Sequence, residues 1–253
     1  MAGAMLRRWI ETGMDATQVR VVDPAFPDLP GGLLALAAIP ADAVPADKIL
    51  LAIKPQMLDA VAAEVARLVG PETRVLSILA GVEIAALKDR FPEAAQIVRI
   101  MPNLPAALGK GVIAIHGTDG PDDETCALMA PLGLVEWIDD EGLLHLVAAL
   151  AASGPAFLYR FIDALGIAGA RLGLAPDQSA RLALAMVEGS AMLAAQSGEA
   201  PAMLADRVAS KGGMTREGLD VLDADEALVR LLTDTLAAAE KRSAEMGDAA
   251  RRT

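Results

Sequence analysis

The loop at residues 210–215, SKGGMT, contains residue types that can bind an anion. Gly212 and Gly213 let the backbone come close to a ligand, and the helical stretch REGLDVL follows almost directly. Thr215 is a suitable N-cap for that helix, and free backbone N–H groups at a helix N-terminus attract a carboxylate. The loop therefore predicts a carboxylate site. The alternative is a plain Gly-Gly turn with a threonine cap.

Three other segments place small or polar residues where predicted strands end. One ends on Lys54 and Pro55, one runs through Ala80 into Gly81, and one contains Asn103. Doubly wound proteins bind ligands at the carboxyl ends of their strands, so these turns predict one cleft that admits a flat ring. The alternative is that they are structural: a proline that starts a helix beside a surface lysine, and an asparagine that shapes a proline-rich turn.

The opening residues, MAGAML, resemble the tail of a glycine-rich loop that precedes a dinucleotide-binding helix. Met1 and Ala2 would then face a pyrophosphate, and about ten residues with a strand and leading glycines would be missing. The alternative is an ordinary amphipathic helix over 1–12. Asp23 follows a predicted strand and can bind a ribose 2′-hydroxyl, which favours NAD, or can form a turn before Pro24.

Short β-branched runs alternate with helical stretches over residues 1–140. Strands are predicted at 19–22, 48–53, 73–79, 96–101 and 111–116, and helices at 3–12, 56–69, 83–90 and 122–131. Because strand and helix alternate at this spacing, the pattern predicts an α/β fold with a parallel sheet and right-handed crossovers.

Strand signals nearly vanish after residue 140, where helices are predicted at 156–172, 176–196 and 225–246. Small residues on these helices allow close packing, either inside one subunit or across a homodimer. They are Ala183, Gly189, Ser190, Ala191 and Ala194. The acidic run at 139–141 predicts a helix-start cap at the junction. We therefore expect a dinucleotide-binding domain at 1–140 and an all-helical domain at 141–253.

The composition excludes several function classes. The chain has 253 residues with 22 Lys and Arg against 34 Asp and Glu, a net charge of −12 that argues against nucleic-acid binding. The longest apolar run, at 143–152, is shorter than the about 20 residues that span a bilayer, and no signal peptide is visible. Cys126 has no partner for a disulfide and is expected to be a buried apolar position, and His116 and His145 lack metal-ligand spacing. We expect a cytoplasmic protein that binds no membrane, metal or nucleic acid.

Five segments, in order, resemble Δ1-pyrroline-5-carboxylate reductase, the last enzyme of proline biosynthesis. They are LAIKPQ (51–56), SILAGV (77–82), RIMPNLPA (99–106), ASGPAFLYRFIDAL (152–165) and DRVASKGGMTREGL (206–219). The resemblance runs from residue 1 to about 246, because MAGAML is similar to the end of the family's glycine loop. It implies a Rossmann-like domain followed by a helical substrate-binding and dimerisation domain. It also implies reduction of 1-pyrroline-5-carboxylate to L-proline by NADPH or NADH.

The resemblance also implies site residues. The substrate loop would comprise Ser210, Gly212, Gly213, Met214 and Thr215, with the Thr215 hydroxyl on the ring nitrogen as the catalytic group. Whether Thr215 or solvent supplies the proton stays open. The cofactor would contact Met1, Ala2, Asp23, Ala52, Lys54, Pro55, Ala80, Gly81 and Asn103. The expected partners are a small-molecule substrate and further copies of the chain, as a homodimer or a higher homo-oligomer.

Several departures from the family pattern keep two alternatives open. The first strand and leading glycines are absent, and substitutions stand at Leu104, Ala151, Ala152, Lys211 and Met214. A non-catalytic or cofactor-impaired homologue would fail to bind NAD(P)H. A related imine or β-hydroxyacid reductase would place a catalytic lysine on the first long helix of the second domain. The only basic residue near that position is Arg160.

Overall fold

The computed structural model describes residues 1–251 and divides them into two compact units. The first unit comprises Met1–Ser153 and the chain from Ala238 onward, and the second is Gly154–Ala237. Residues 252 and 253, which the predicted helical domain includes, lie outside the described residues. The boundary expected after residue 140 stays a prediction about domain organisation.

The described strands form two sheets in the first unit. They are β1 (Val21–Val22), β2 (Ala35–Leu36), β3 (Lys48–Leu51), β4 (Arg74–Ser77), β5 (Gln96–Met101), β6 (Gly111–Gly117) and β7 (Gly133–Trp137). β1 and β2 pair in parallel, and the others form a sheet in the order β3-β4-β5-β6-β7. The predicted α/β class is confirmed. The first sheet matches the 3-2 portion of the doubly wound strand order, β3, β4 and β5 match the 4-5-6 portion, and β6 and β7 extend the second sheet.

The predicted parallel sheet is confirmed except for one antiparallel pair, at β6, which the sequence analysis did not expect. β3, β4 and β5 are parallel neighbours, but β5 and β6 pair antiparallel, with Met101 opposite Ala114. Only residues 102–110 connect the two strands, and Leu104–Leu108 forms a short 3-10 helix there. A parallel connection needs a crossover of about a dozen residues or more, so this link can only reverse the chain.

Two strands escaped the sequence prediction because their signals are weak. β2 has only two residues. β7 begins with a glycine and carries Glu136, and its side chains alternate between exposed and half-buried positions. It nevertheless pairs with β6 in parallel, with Gly133 opposite Gly111.

Alternate residues of β5 serve cores on the two faces of the sheet. Val98 and Ile100 pack with Met5 and Trp9 of the first helix. Ile97 belongs to the opposite core, which includes Leu87 and other residues of the helices after β3 and β4. Apolar side chains on both faces are expected for a sheet that helices cover on both sides.

The helices lie close to the predicted positions. In the first unit they are α1 (Ala2–Glu11), α2 (Leu58–Ala66), α3 (Ile84–Arg90), α4 (Asp123–Met129) and α5 (Leu144–Val147). The remaining helices are α6 (Gly154–Arg171), α7 (Pro176–Ser197), α8 (Pro201–Val208), α9 (Met214–Asp223) and α10 (Ala227–Arg251). A π-helical turn at Ala148–Ala152 separates α5 from α6. The sequence analysis missed α8.

Small residues let α6 and α7 pack closely in the second unit. A Cβ atom on Gly169 would lie 2.3 Å from Ser179 Oγ, and one on Gly166 would lie 3.2 Å from Ala180 Cα. Ser179 and Ala183 are buried. Many larger apolar side chains of this unit are exposed instead, among them Leu158, Tyr159, Phe161, Ile167, Leu182, Met192 and Leu193.

The helical stretch Glu141–Arg171 is long and apolar enough to cross a bilayer, with a mean hydropathy of 1.5. The sequence analysis considered only the apolar run at 143–152 and judged it too short to span a bilayer. The helical stretch is longer than that run, because helical turns continue through α6. A single such helix is a weak indication of a membrane span, since core helices of soluble proteins have the same composition. Only 11% of its apolar window is buried, so this surface needs a cover.

Candidate active site

The carboxyl ends of β3, β4 and β5 lie at one edge of the sheet. Leu51 is in register with Ser77, and Ser77 is in register with Arg99. The turns that follow the three strands therefore leave the sheet at the same edge, where open α/β sheets bind ligands. These turns contain Ala52, Lys54 and Pro55, then Ala80 and Gly81, and then Asn103.

The turn after β3 exposes the positively charged side chain of Lys54. Pro55 begins a 3-10 turn whose Met57 N–H donates to the Lys54 carbonyl at 2.9 Å. Ala52 and Lys54 are exposed, and Lys54 makes no ion pair with any residue that the structure describes. The Lys54 ammonium group is thus available to an anionic ligand.

The turn after β4 brings a glycine with left-handed backbone to the same edge. Gly81 has φ +76°, a region that favours glycine, and it is buried, whereas Ala80 is exposed. Before it, the Ser77 hydroxyl accepts a hydrogen bond from the Leu79 N–H at 3.3 Å. We call residues 80–84 the Gly81 loop.

Asn103 connects three parts of the first unit. Its Oδ1 accepts from the Val112 N–H of β6, and its Nδ2 donates to the Ala151 carbonyl of the π-helical turn, each at 2.9 Å. The side chain is 6% exposed. Asn103 thus has the structural role that the sequence offered as an alternative, and its contact with a cofactor stays a prediction.

Arg99 and Glu141 form a buried ion pair that the sequence analysis missed. Arg99 is 3% exposed, and its Nη1 donates to Glu141 Oε1 at 2.7 Å. The same oxygen accepts from the Ile84 N–H, also at 2.7 Å, at the first turn of α3. The prediction of a local cap at 139–141 holds for Asp140, which accepts from the Gly142 N–H, but Glu141 caps a distant helix. The sequence signal that could have revealed this pair is an arginine within a strand predicted to be buried.

At the chain start, α1 packs into the first core through Met5 and Trp9. The Met1 carbonyl accepts from the Ala4 and Met5 N–H groups, so the Ala2 and Gly3 amides have no intrahelical acceptor. Within the described part of the chain, no hydrogen bond joins Met1 or Ala2 to the three turns. The structure therefore shows an amphipathic first helix and leaves a role at a pyrophosphate open.

Asp23 forms the turn that the alternative interpretation expected. Its Oδ1 accepts from the Ala25 N–H at 2.9 Å, across Pro24. Its backbone N–H continues the pairing of β1 with β2 by donating to the Leu36 carbonyl. The second carboxylate oxygen remains an acceptor for a ribose hydroxyl.

In the second unit, the N-cap of α9 is Gly213, so the expectation of Thr215 as N-cap is wrong. The helix begins at Met214, two residues earlier than predicted, which places Thr215 at the second helical position. The Arg216 N–H donates to the Gly213 carbonyl, and the Met214 and Thr215 amides have no intrahelical acceptor. The amide cradle therefore begins at Met214.

Glycine stands at positions 212 and 213 for different structural reasons. Gly212 has φ +69°, which favours glycine. A Cβ on Gly213 would lie 2.5 Å from Ser210 Oγ and 3.1 Å from the Ser210 carbonyl oxygen, so a larger residue would displace that serine. Ser210, Gly212 and Met214 are exposed, while Gly213 and Thr215 are half-buried. The loop thus presents its backbone without covering side chains.

An ion pair holds this loop between two helices. Arg216 Nη2 donates to Asp206 Oδ1 at 2.7 Å, joining the first turn of α9 to the last part of α8. The hydrogen bond to Asp206 raises the pKa of Arg216, with smaller support from the charges of Asp220 and Asp223. The charged guanidinium therefore lies beside the amide cradle, with its charge balanced by Asp206.

The described residues give little support to metal, histidine or cysteine chemistry. No group of three metal-ligating side chains occurs among the residues that the structure describes. His116 Nδ1 lies 2.7 Å from the Ile138 carbonyl, which engages that ring. Cys126 is half-buried against the first core. Burial, followed by the charges of Asp122 and Asp123, raises the pKa of its thiol, which disfavours a thiolate nucleophile.

Comparison of sequences links the chain to one set of proteins. The family model for pyrroline-5-carboxylate reductase dimerisation matches residues 141–246. A pyrroline-5-carboxylate reductase of Pseudomonas aeruginosa is 32% identical over 98% of this chain and 94% of the relative. One from Synechocystis is 38% identical over 79% of this chain and 74% of the relative.

Comparison of structures gives a consistent result. A pyrroline-5-carboxylate reductase of Coxiella burnetii aligns with a TM-score of 0.86 at 28% identity, over 96% of this chain and 94% of the other. A pyrroline carboxylate reductase of Plasmodium falciparum, solved with NADP bound, aligns with a TM-score of 0.78 at 23% identity. That alignment covers 96% of this chain and 93% of the other, and at this identity it shows the fold alone.

Proposed function

The chain belongs to the pyrroline-5-carboxylate reductase family, and we propose that it reduces 1-pyrroline-5-carboxylate to L-proline with NADPH or NADH, the last step of proline biosynthesis. The observation that carries this proposal is the 32% identity to a reductase over 98% of the chain. The amide cradle at Met214 and Thr215, beside the Arg216–Asp206 pair, supports an anionic substrate.

The turns at the sheet edge fit a nicotinamide dinucleotide. Ala52 and Ala80 are small and exposed and leave room for a flat ring beside the backbone of Gly81, and Lys54 offers a positive charge to a phosphate. We assign the cofactor to these residues and to Pro55, Asn103, Met1, Ala2 and Asp23. When bound, the cofactor supplies the hydride that the imine carbon accepts.

The residues assigned to the substrate hold its ring and orient its nitrogen, which is protonated in the product. In our proposal the amides of Met214 and Thr215 bind the carboxylate, with Ser210, Gly212 and Gly213 shaping the loop, since the Gly213 N–H donates to the Ser210 carbonyl. The Thr215 hydroxyl hydrogen-bonds to the ring nitrogen while carbon 5 accepts the hydride: it donates to the neutral imine, which must then take up a proton, or accepts from the N–H of an imine that is already protonated. A threonine hydroxyl is a poor acid near neutral pH, so its main role is orientation, and the proton comes from solvent or a protonated substrate.

We further propose that residues 1–140 form the dinucleotide-binding domain and 141–253 the helical substrate and dimerisation domain. The dimerisation family model supports the second assignment. The exposed apolar side chains of the second unit also favour a homodimer or a higher homo-oligomer. A biosynthetic role that uses soluble nicotinamide, together with a single cysteine, favours the cytoplasm.

The test is the loss of reduced-nicotinamide absorbance when the purified protein is mixed with 1-pyrroline-5-carboxylate and NADPH or NADH. We expect Thr215→Val to lower kcat/KM by about tenfold, because one hydrogen bond is lost, and Thr215→Ser to restore most of it. Thr233→Val is a matched control, since the Thr233 hydroxyl donates to Val229 within α10. The absence of turnover in the unmodified protein would refute the proposed function, and full activity of Thr215→Val would refute the role of Thr215.

A further inference from the structure

The last part of α10 returns to the first unit and lies against the Gly81 loop. Ala238 and the residues after it belong to the first unit, although the helix starts in the second. The three atoms that a Cβ on Gly81 would meet all belong to the backbone of Met246 and Gly247. Two backbone segments thus touch here without a side chain between them.

Both glycines make room for this contact. A Cβ on Gly81 would lie 3.0 Å from Gly247 Cα and 3.1 Å from Gly247 N. A Cβ on Gly247 would lie 3.3 Å from the Gly81 carbonyl oxygen and 3.4 Å from His145 Cε1. Gly81 also has positive φ, but Gly247 lies in regular helix, where glycine costs about 1 kcal/mol relative to alanine. The close approach therefore gives the glycine at 247 a physical reason.

Side chains fix the helix end and the loop on both sides of the contact. Ser243 Oγ and His145 Nδ1 form a hydrogen bond of 3.0 Å one helical turn before Gly247. At the other end of the loop, Glu141 accepts from the Ile84 N–H and from the buried Arg99. The loop is therefore held by α10 at Gly81 and by Glu141 at Ile84.

We propose that Gly247 and Ser243 are positioning residues for the cofactor: the end of α10 sets the position of the Gly81 loop, against which the nicotinamide ring lies. This inference rests on the proposed function, because the loop lies at the sheet edge assigned to the cofactor. Hydride transfer depends steeply on the distance and angle between the reacting carbons, and a misplacement of about 1 Å can lower the rate by 10²-fold. A small shift of the loop should therefore reduce kcat more than it weakens cofactor binding.

The test uses Gly247→Ala and Gly247→Val in the full chain, with Ala238→Val as the control. Ala238 is exposed on the same helix, so its replacement measures the cost of a β-branched residue without the contact. Gly247→Ala gains helix propensity, so it keeps the helix while pressing on the Gly81 carbonyl. We expect kcat to fall about tenfold in Gly247→Val and less in Gly247→Ala, with KM for NADPH changed by less than about threefold.

Two readouts separate positioning from a general loss of structure. The deuterium isotope effect with NADPH labelled at the transferred hydride should increase in both Gly247 variants, because hydride transfer becomes slower than the other steps. Backbone hydrogen exchange of residues 80–84 should become about tenfold faster in Gly247→Val and stay unchanged in Ala238→Val. Ser243→Ala should shift both readouts in the same direction, by a smaller amount.

Exchange at 80–84 that matches the unmodified protein would overturn the proposed support of the loop, whatever the activity. Faster exchange with unchanged kcat and isotope effect would overturn the role in positioning. If the unmodified protein does not oxidise NADPH with the imine substrate, the proposed function fails. The exchange experiment then still decides whether α10 holds the loop.

Discussion

Asp122 has two roles at the beginning of α4. As the N-cap it accepts hydrogen bonds from the Glu124 and Thr125 N–H groups and from the Thr125 hydroxyl, and it pairs with Arg74. Burial raises the pKa of Asp122, but the hydrogen bonds from Thr125 and the charge of Arg74 lower it more, so the pKa lies below its ordinary value. The ionised carboxylate therefore stabilises the folded state.

We expect Asp122→Ala to lower the free energy of unfolding by about 1 kcal/mol at pH 7, as loss of an N-cap does. A depressed pKa contributes stability above the unfolded pKa of about 4, and this part is lost as the pH falls through the folded pKa. The difference between Asp122→Ala and the unmodified protein should thus shrink in acid. Asp122→Asn keeps the cap and should show a smaller deficit at pH 7, and this deficit should shrink in acid by the same amount, because neither variant has the titrating carboxylate. Urea unfolding from pH 7 to about pH 3 measures both, and a deficit that grows in acid would contradict the argument.

At the scale of elements, the connection between β5 and β6 shows which parts of the fold the sequence could predict. The apolar runs of β3, β4 and β5 were recognised, because strands covered on both faces are apolar at consecutive positions. The direction of β6 was missed, because periodicity reports burial and not pairing. The short link at 102–110 would have shown it, had loop length been weighed against the crossover requirement.

The candidate site, like the fold, was predicted only in part from the sequence. Segments that end strands identified the turns with Lys54, Gly81 and Asn103, since parallel strands end at a common edge. The pair Arg99–Glu141 joins residues 42 apart, and the contact of Gly81 with Gly247 joins residues 166 apart. No local pattern encodes such contacts, so only the folded chain shows them.

The pairing of β6 with β7 depends on one glycine. Gly133 has φ +143°, and a Cβ there would lie 2.0 Å from the Gly111 carbonyl oxygen. We expect Gly133→Ala to lower the free energy of unfolding by more than about 3 kcal/mol, because the clash adds to the backbone strain. Gly120→Ala is the matched control, since Gly120 also has positive φ but open space around it, and should cost about 1 kcal/mol. Equal losses in the two variants, measured by urea unfolding, would show that the close contact with Gly111 does not matter.

For the whole molecule, the second unit exposes more apolar surface than a monomer would be expected to keep in water. Ile167 is 46% exposed and lines an apolar groove with Ala164, Ala168 and Leu172. The described residues of this unit bury few large side chains, and the family model that matches 141–246 describes dimerisation. Soluble monomers rarely leave such patches uncovered. We therefore expect a second copy of the chain to cover this face, so that folding of the unit depends on association.

If folding and association are linked, the melting temperature of the unmodified protein should rise with protein concentration. Ile167→Glu should reduce the mass in solution to that of one chain and abolish this dependence, because an uncompensated carboxylate would be buried between the copies. Leu134→Glu is the matched control, since Leu134 is 56% exposed on β7 of the first unit and should leave the mass unchanged. Light scattering and thermal melts over a hundredfold range of concentration measure both quantities. A monomer with a constant melting temperature in the unmodified protein would mean that the helical unit is stable without a partner, and the origin of its exposed apolar side chains would then lie elsewhere.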